Sequence, residues 1–232
     1  MPEDGRWAAL LALAAYNIVQ NQMIPVAAYV PANLAASLSL VALARRHGCS
    51  LDDLGLNPDK LAGGLVLGTA VSVAVSALAV AASLHPRSSR YLRDDRAAGH
   101  GGSEVAYRSL VRFPLGTALF EEVAFRGVVY GTWLRAGASP QRATAVTAAA
   151  FGIWHLIPAT QALTGNPLGA SLSSRQARLG VVLTGALVTA LSSLGLSWLR
   201  ERADSLAAPW IAHAAVNSAG YLAGVKTWRR GI

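Results

Sequence analysis

The sequence predicts an all-α, polytopic transmembrane bundle of about seven spans, and three observations carry that prediction. The chain is apolar: 53% of its 232 residues are hydrophobic and only 14% are charged, whereas a soluble domain carries charge on about a quarter of its residues. The apolar residues form long runs, and residues 61–84, 179–199 and 205–225 contain no Asp, Glu, Lys or Arg. Each run reaches the roughly 20 residues a helix needs to cross about 30 Å of hydrocarbon. Residues 7–44 also lack those charges and are long enough for two crossings. A soluble bundle with buried helices does not produce several uncharged runs of this length.

In chain order the expected spans are 7–23, 26–44, 61–84, 110–134, 141–163, 179–200 and 206–226. The first two are joined near Met23 to Pro25. Asn17, Gln20, Asn21, Gln22 and Pro25 interrupt them, which leaves six or eight crossings as alternatives. The connection Arg45–Lys60 is polar, and Asn57-Pro58 is a turn and helix-start signal. The stretch His85–Ser103 is the most hydrophilic and ends in the flexible break Gly99-His100-Gly101-Gly102. Thr164–Arg178 reads as a loop. Gly64 and Gly68 stand four apart and suit a close helix contact, since small residues let backbones approach in lipid. No internal repeat or linker divides the chain, so 1–232 is read as one membrane domain.

The formal net charge is +8, and Arg supplies nearly all of it, Lys60 and Lys226 being the only lysines. The arginines fall mostly at the ends of apolar runs, which suits anionic lipid headgroups. Without interleaved aromatic and basic residues, nucleic acid is not an expected partner. Similar numbers of Lys and Arg fall on the two sides, so orientation does not follow. The acidic start, Met-Pro-Glu-Asp-Gly-Arg, is unlike a signal-peptide n-region, and the first run reads as a retained span. The Ala- and Arg-rich, Lys-poor composition points to a bacterial plasma membrane. The single cysteine, Cys49, excludes an internal disulfide. No His is arranged as a base near it in sequence, so it is not an expected nucleophile.

The informative residues are polar ones inside apolar runs. Of the 12 Asp and Glu, all but Glu121 and Glu122 lie in loops or at span ends. Of the 5 His, only His155 and His213 sit in otherwise uncharged apolar runs. A charge at the membrane centre costs at least about 2.5–3.5 kcal/mol, so each such residue needs a partner or a function. At 100° per residue, Glu122 and Arg126 are about 40° apart on a helix and can pair. Glu121 points elsewhere, with Phe125 placed to shield it. One carboxylate is then neutralised and the other is available as a general base. Phe151 and His155 share a face, and Pro158 is placed to bend the helix just beyond His155. His213 and Asn217 project to one side of another span. Taken singly, the Glu–Arg pair reads as a salt bridge and the others as interhelical hydrogen bonds. Together they supply a base, an imidazole and neutral donors, the parts of a hydrolase that activates water.

These residues resemble the CAAX protease and bacteriocin-processing family of intramembrane proteases, also called the Abi family. Its motifs run Glu-Glu-x-x-x-Arg, Phe-x-x-x-His and His-x-x-x-Asn/Asp. Here they read Glu121-Glu122…Arg126, Phe151…His155 and His213…Asn217, in the same order. Arg202, Ser205-Leu206 and Pro209 approach the last motif as in the family. The resemblance covers about 110–220, which it implies is a catalytic core. It implies an intramembrane endopeptidase acting on a membrane protein or peptide. Glu121 would activate water with help from His155. His213 and Asn217 would stabilise the oxyanion, and Glu122 and Arg126 would set the geometry of Glu121. Family members are often called metalloproteases, and His155, His213 and Glu121 offer the donors of a zinc site. The chain has no His-Glu-x-x-His, so a glutamate-activated water without obligatory metal is preferred. Two alternatives remain from other classes: an ion- or proton-translocating protein, and a catalytically inert partner or immunity protein that keeps the family fold. A serine protease is a poor fit, since no Gly-x-Ser-x-Gly is present.

Overall fold

The computed structural model describes residues 5–89, 92, 99–164 and 172–230, and all regular structure among them is helical. Much of the expected hydrophilic connection over 85–103 and part of the expected loop over 164–178 lie outside the described residues.

Helix α1 (Gly5–Gln22) and α2 (Tyr29–Arg46) are separated by a turn through Met23 to Pro25 and a short 3-10 helix. The Asn57 side chain accepts from the Asp59 N–H at 2.9 Å, with Pro58 at the first helical position, and this start leads into α3 (Leu61–Leu84). Helix α4 runs unbroken over 102–135. Ser139 caps α5 (Pro140–Trp154), which breaks at His155 before α6 (Leu156–Thr164). Ser174 caps α7 (Arg175–Ala203). Asp204, in the left-handed region at φ 49°, turns the chain towards α8 (Ala207–Arg229).

By length and composition, four of these helices can cross a membrane: Val26–Arg46, Pro58–Leu84, Pro140–Leu163 and Arg175–Ala203. The distribution of side chains agrees with lipid as the solvent. Leu11, Leu38, Val66, Leu78, Leu110 and Ile153 all face outward, while Glu121, Glu122, Arg126 and His213 are buried. A water-soluble fold buries the first set and exposes the second. With apolar surroundings outside, helices associate through close packing and polar contacts. Gly64 and Gly68 carry the expected close approach of α3 to α8: a Cβ at Gly64 would meet Ser205 Oγ at 2.7 Å, and one at Gly68 the Ala208 carbonyl at 2.8 Å. Gly152 on α5 does the same against α7, where a Cβ would stand 2.9 Å from the Ala186 carbonyl.

Helix α4 is the axis of the molecule, with α1, α2, α5, α7 and α8 all packing on it. Its backbone is widened to π-helical turns over Arg108–Ala118 and again over Val123–Val129. Between them lies one ordinary α-turn, Leu119–Glu122. Pro114 lies in the first wide stretch. It has no N–H to give, and local π turns re-satisfy backbone groups that such a proline disturbs. The Pro114 carbonyl itself accepts from the Leu119 N–H and, at 2.8 Å, from Trp210 Nε1 on α8.

Candidate active site

The two glutamates occupy that single α-turn, so wide turns flank them on both sides, a distortion often found at functional sites. Glu122 is fully buried and has two partners. Arg126 Nη1 donates to its Oε1 at 3.1 Å, and His213 Nδ1 lies 2.7 Å from the same oxygen. The expected Glu122–Arg126 pair is therefore formed, with both side chains wholly enclosed. Arg126 Nη2 also donates to Ser193 Oγ on α7 at 2.6 Å, and its guanidinium carbon lies 4.3 Å from the centre of the Phe151 ring. The charge is thus met by a carboxylate, a hydroxyl and a π face.

Glu121 is also buried, yet its Oε2 forms no hydrogen bond. Two imidazole nitrogens face that oxygen: His213 Nε2 at 3.7 Å and His155 Nε2 at 3.8 Å. His155 Nδ1 lies 2.8 Å from the Phe151 carbonyl, one helical turn back. A carbonyl only accepts, so Nδ1 carries the proton, and a neutral ring then presents a lone pair at Nε2. The Phe151 ring packs against both imidazoles, with centroids 4.4 Å from His155 and 6.1 Å from His213. Phe125, buried, packs edge-on to Phe151 and Trp154.

Six of the seven residues singled out in sequence thus come together from three helices and one helix break: Glu121, Glu122, Arg126, Phe151, His155 and His213. Asn217 stands one turn beyond His213 on α8, half-buried, and hydrogen-bonds none of them among the described residues. One local expectation changes. The break falls at His155 itself (φ −84°, ψ 0°) and not beyond it. Pro158 is the cause: its ring crowds the carbonyl of residue 154 and it has no N–H for that carbonyl. The distortion therefore lies upstream of the proline. Ser193 was not legible as a member of this group. A small polar residue in an apolar run is common, and nothing local marks it as a partner of Arg126.

The donor set Glu121, His155 and His213 has the right chemistry for zinc. Among the described residues, however, no three His, Cys, Asp or Glu side chains are grouped to hold a metal ion.

Residues 104–219 match the family model for Rce1-like proteins, the type II CAAX prenyl endopeptidases. That is half of the chain, and it contains every residue of the cluster. The chain belongs to this family. Membership in the Rce1-like family makes it a membrane protein of the protease type, with intramembrane CAAX endopeptidase activity in the general sense. Searches of curated proteins and of solved structures found no individual match.

Proposed function

We propose that the chain is an intramembrane endopeptidase in which Glu121 activates a water molecule for attack on a peptide carbonyl. The observation that carries this reading is the Glu121 Oε2 atom, a buried acceptor without a hydrogen bond, faced by Nε2 of two histidines. Separations of 3.7 and 3.8 Å exceed a direct hydrogen bond, which leaves that oxygen able to accept from a water molecule.

Glu121 takes a proton from that water, with the His155 Nε2 lone pair accepting the water's second hydrogen bond. The hydroxide adds to the scissile carbonyl carbon, and the C–N bond then breaks as the proton passes from Glu121 to the leaving amine. His213 is held differently. With Nδ1 donating to Glu122, a doubly protonated ring offers Nε2–H to the developing oxyanion. That state also balances the cluster, since two carboxylates then face one guanidinium and one imidazolium. Asn217 is assigned as the second oxyanion donor; among the described residues its amide has no hydrogen-bond partner that binding would displace. Glu122 and Arg126 fix the turn that aims Glu121.

On this reading 110–220 is the catalytic core and 1–232 a single domain crossing the membrane about seven times, α1, α4 and α8 adding to the four most apolar helices. The site residues α4 and α8 carry are what lower their hydropathy. The substrate is a membrane-associated protein or peptide, and the setting a bacterial plasma membrane. No step requires a metal.

The test is peptidomics of membranes from cells carrying wild type or Glu121→Gln, which keeps the shape and removes the proton acceptor. New C-termini produced by wild type should fall at least about 10²–10⁴-fold with Glu121→Gln at equal folded protein. Prolonged chelation of the wild type should change nothing. Undiminished cleavage by Glu121→Gln, or chelator-sensitive cleavage restored by zinc, overturns the mechanism.

A further inference from the structure

The carbonyl that Pro158 leaves without a backbone donor is that of Trp154, and it is not left unpaired. Asn17 Nδ2, on α1, donates to it at 3.0 Å. The Asn17 amide is itself oriented, because Asn21 Nδ2 donates to Asn17 Oδ1 at 2.7 Å and so turns the NH₂ group towards α5. The same atom of Asn21 reaches the Asn17 carbonyl at 2.8 Å, which ties the end of α1 to this arrangement. Trp154 is the last residue of α5, and His155 is the next residue, at the break.

Asn17 therefore fixes the one peptide group through which α5 hands over to His155. The Trp154–His155 peptide plane and the φ of −84° at His155 set the direction in which the ring leaves α5, and its Nε2 lies 3.8 Å from Glu121 Oε2. We propose that Asn17, set by Asn21, is a positioning residue for His155, so that α1 takes part in the active site although it lies outside the family match at 104–219. Asn33 on α2 is its counterpart for the glutamates. Wholly buried, it donates to the Gly116 carbonyl at 2.7 Å, in the wide turn just ahead of Glu121, while the Tyr16 hydroxyl on α1 donates to its Oδ1 at 2.6 Å. The inference rests on the catalytic reading above only for its effect on turnover.

A merely structural asparagine and a positioning one respond differently to Pro158→Ala. That substitution returns an N–H able to satisfy the Trp154 carbonyl within the helix, and it removes the cause of the break. The proteins compared are wild type, Asn17→Ala, the milder Asn21→Ala, and the double variant Asn17→Ala/Pro158→Ala. Three quantities are measured in detergent: thermal midpoint, kcat and KM on an internally quenched peptide ending in a farnesylated CAAX tetrapeptide, and the rate of His155 carbethoxylation by diethyl pyrocarbonate. Asn17→Ala should lower the midpoint and cut kcat about 10²-fold, with KM little changed. Asn21→Ala should do the same to a smaller extent. The double variant should regain the midpoint but not kcat, and its His155 should keep an altered carbethoxylation rate. Recovery of midpoint, kcat and His155 reactivity together would reduce Asn17 to a carbonyl cap and overturn the proposal. So would unchanged kcat and His155 reactivity in a folded Asn17→Ala or Asn21→Ala protein. If wild type cleaves no such peptide, the substrate reading fails there, while His155 carbethoxylation still decides the role of Asn17.

Discussion

Among the described residues two arginines are buried, and they are satisfied in different ways. Arg126 is wholly enclosed on α4 and Arg200 is 4% exposed near the end of α7. Both have an Nε without a hydrogen bond. Arg200 Nη2 is met by main chain, donating to the carbonyls of Asp52 and Asp53 at 3.0 and 3.3 Å, and Nη1 donates to the Asp204 carboxylate at 3.2 Å. Its guanidinium lies on Gly55, at φ 68°, where a Cβ would run into Arg200 Nε. Nothing in that group is left unpaired except the Arg200 Nε. Arg126 belongs to a set in which one oxygen of each carboxylate, Glu121 Oε2 and Glu122 Oε2, is buried and unbonded, and Glu121 is the one that Arg126 does not touch. A buried charge that closes on backbone carbonyls pins a loop; on the proposed mechanism, one that leaves an adjacent carboxylate free holds that carboxylate ready.

The sharpest way to break this comparison is to remove each arginine. Arg126→Ala strands Glu122 and a His213 bonded to it in a fully enclosed space. Breaking such a pair costs about 3–5 kcal/mol. The expected result is a large drop in thermal midpoint and in folded yield, and lost cleavage. A variant as stable as wild type yet inactive would make Arg126 part of the chemistry. Arg200→Ala should cost less, about 1.5–3 kcal/mol for hydrogen bonds made by a charged group. The freed carbonyls lie at a loop that water reaches, and the partner carboxylate of Asp204 is 57% exposed, so the ion pair itself adds little. Cleavage per folded molecule should be unchanged. An Arg200→Ala protein that is fully stable but inactive would erase the distinction.

What was legible in the sequence followed from short-range rules. Uncharged runs marked helices at 61–84, 179–199 and 205–225, and the structure has α3, α7 and α8 there. The four-residue spacing of Glu122 and Arg126 gave their pair, and that of Gly64 and Gly68 gave a close helix contact, though not that α8 makes it. Pro158 marked a disturbance near His155 but not its position, because the effect of proline reaches back to the carbonyl four residues earlier. Of the π-helical turns around Glu121 and Glu122, Pro114 lies in the first, but no proline marks the second, over Val123–Val129. The Asn17–Trp154 bond joins residues 137 apart. In the sequence Asn17 only interrupted an apolar run, and a side-chain-to-backbone bond over that distance has no periodicity to reveal it. The number of spans was weakly legible because Asn17, Gln20, Asn21, Gln22 and Pro25 interrupt the first two apolar runs.

The smallest expected effect concerns Cys49, which reports on the loop that Arg200 pins. Cys49 is 1% exposed in the turn after α2, where its carbonyl accepts from Arg45 Nη1 at 2.7 Å. Burial, with the Asp53 carboxylate nearby, pushes its thiol above the ordinary value of 9.0. The thiolate is the reactive form, so alkylation is suppressed both by access and by protonation. The sign of the pH effect follows. A thiol pKa raised in the folded state contributes stability that is complete below the ordinary value and is lost as pH rises past it towards the folded value. In wild type the alkylation rate should therefore keep rising beyond pH 9, where a free thiol levels off. Arg200→Ala releases the Asp52 and Asp53 carbonyls and opens the loop, so alkylation at neutral pH should quicken and the profile should level off at the ordinary value. Asn21→Ala, at the other end of α1, should leave it unchanged. If Cys49 alkylates in wild type as a free thiol does, the loop is open without any mutation, and Arg200 does not hold it closed.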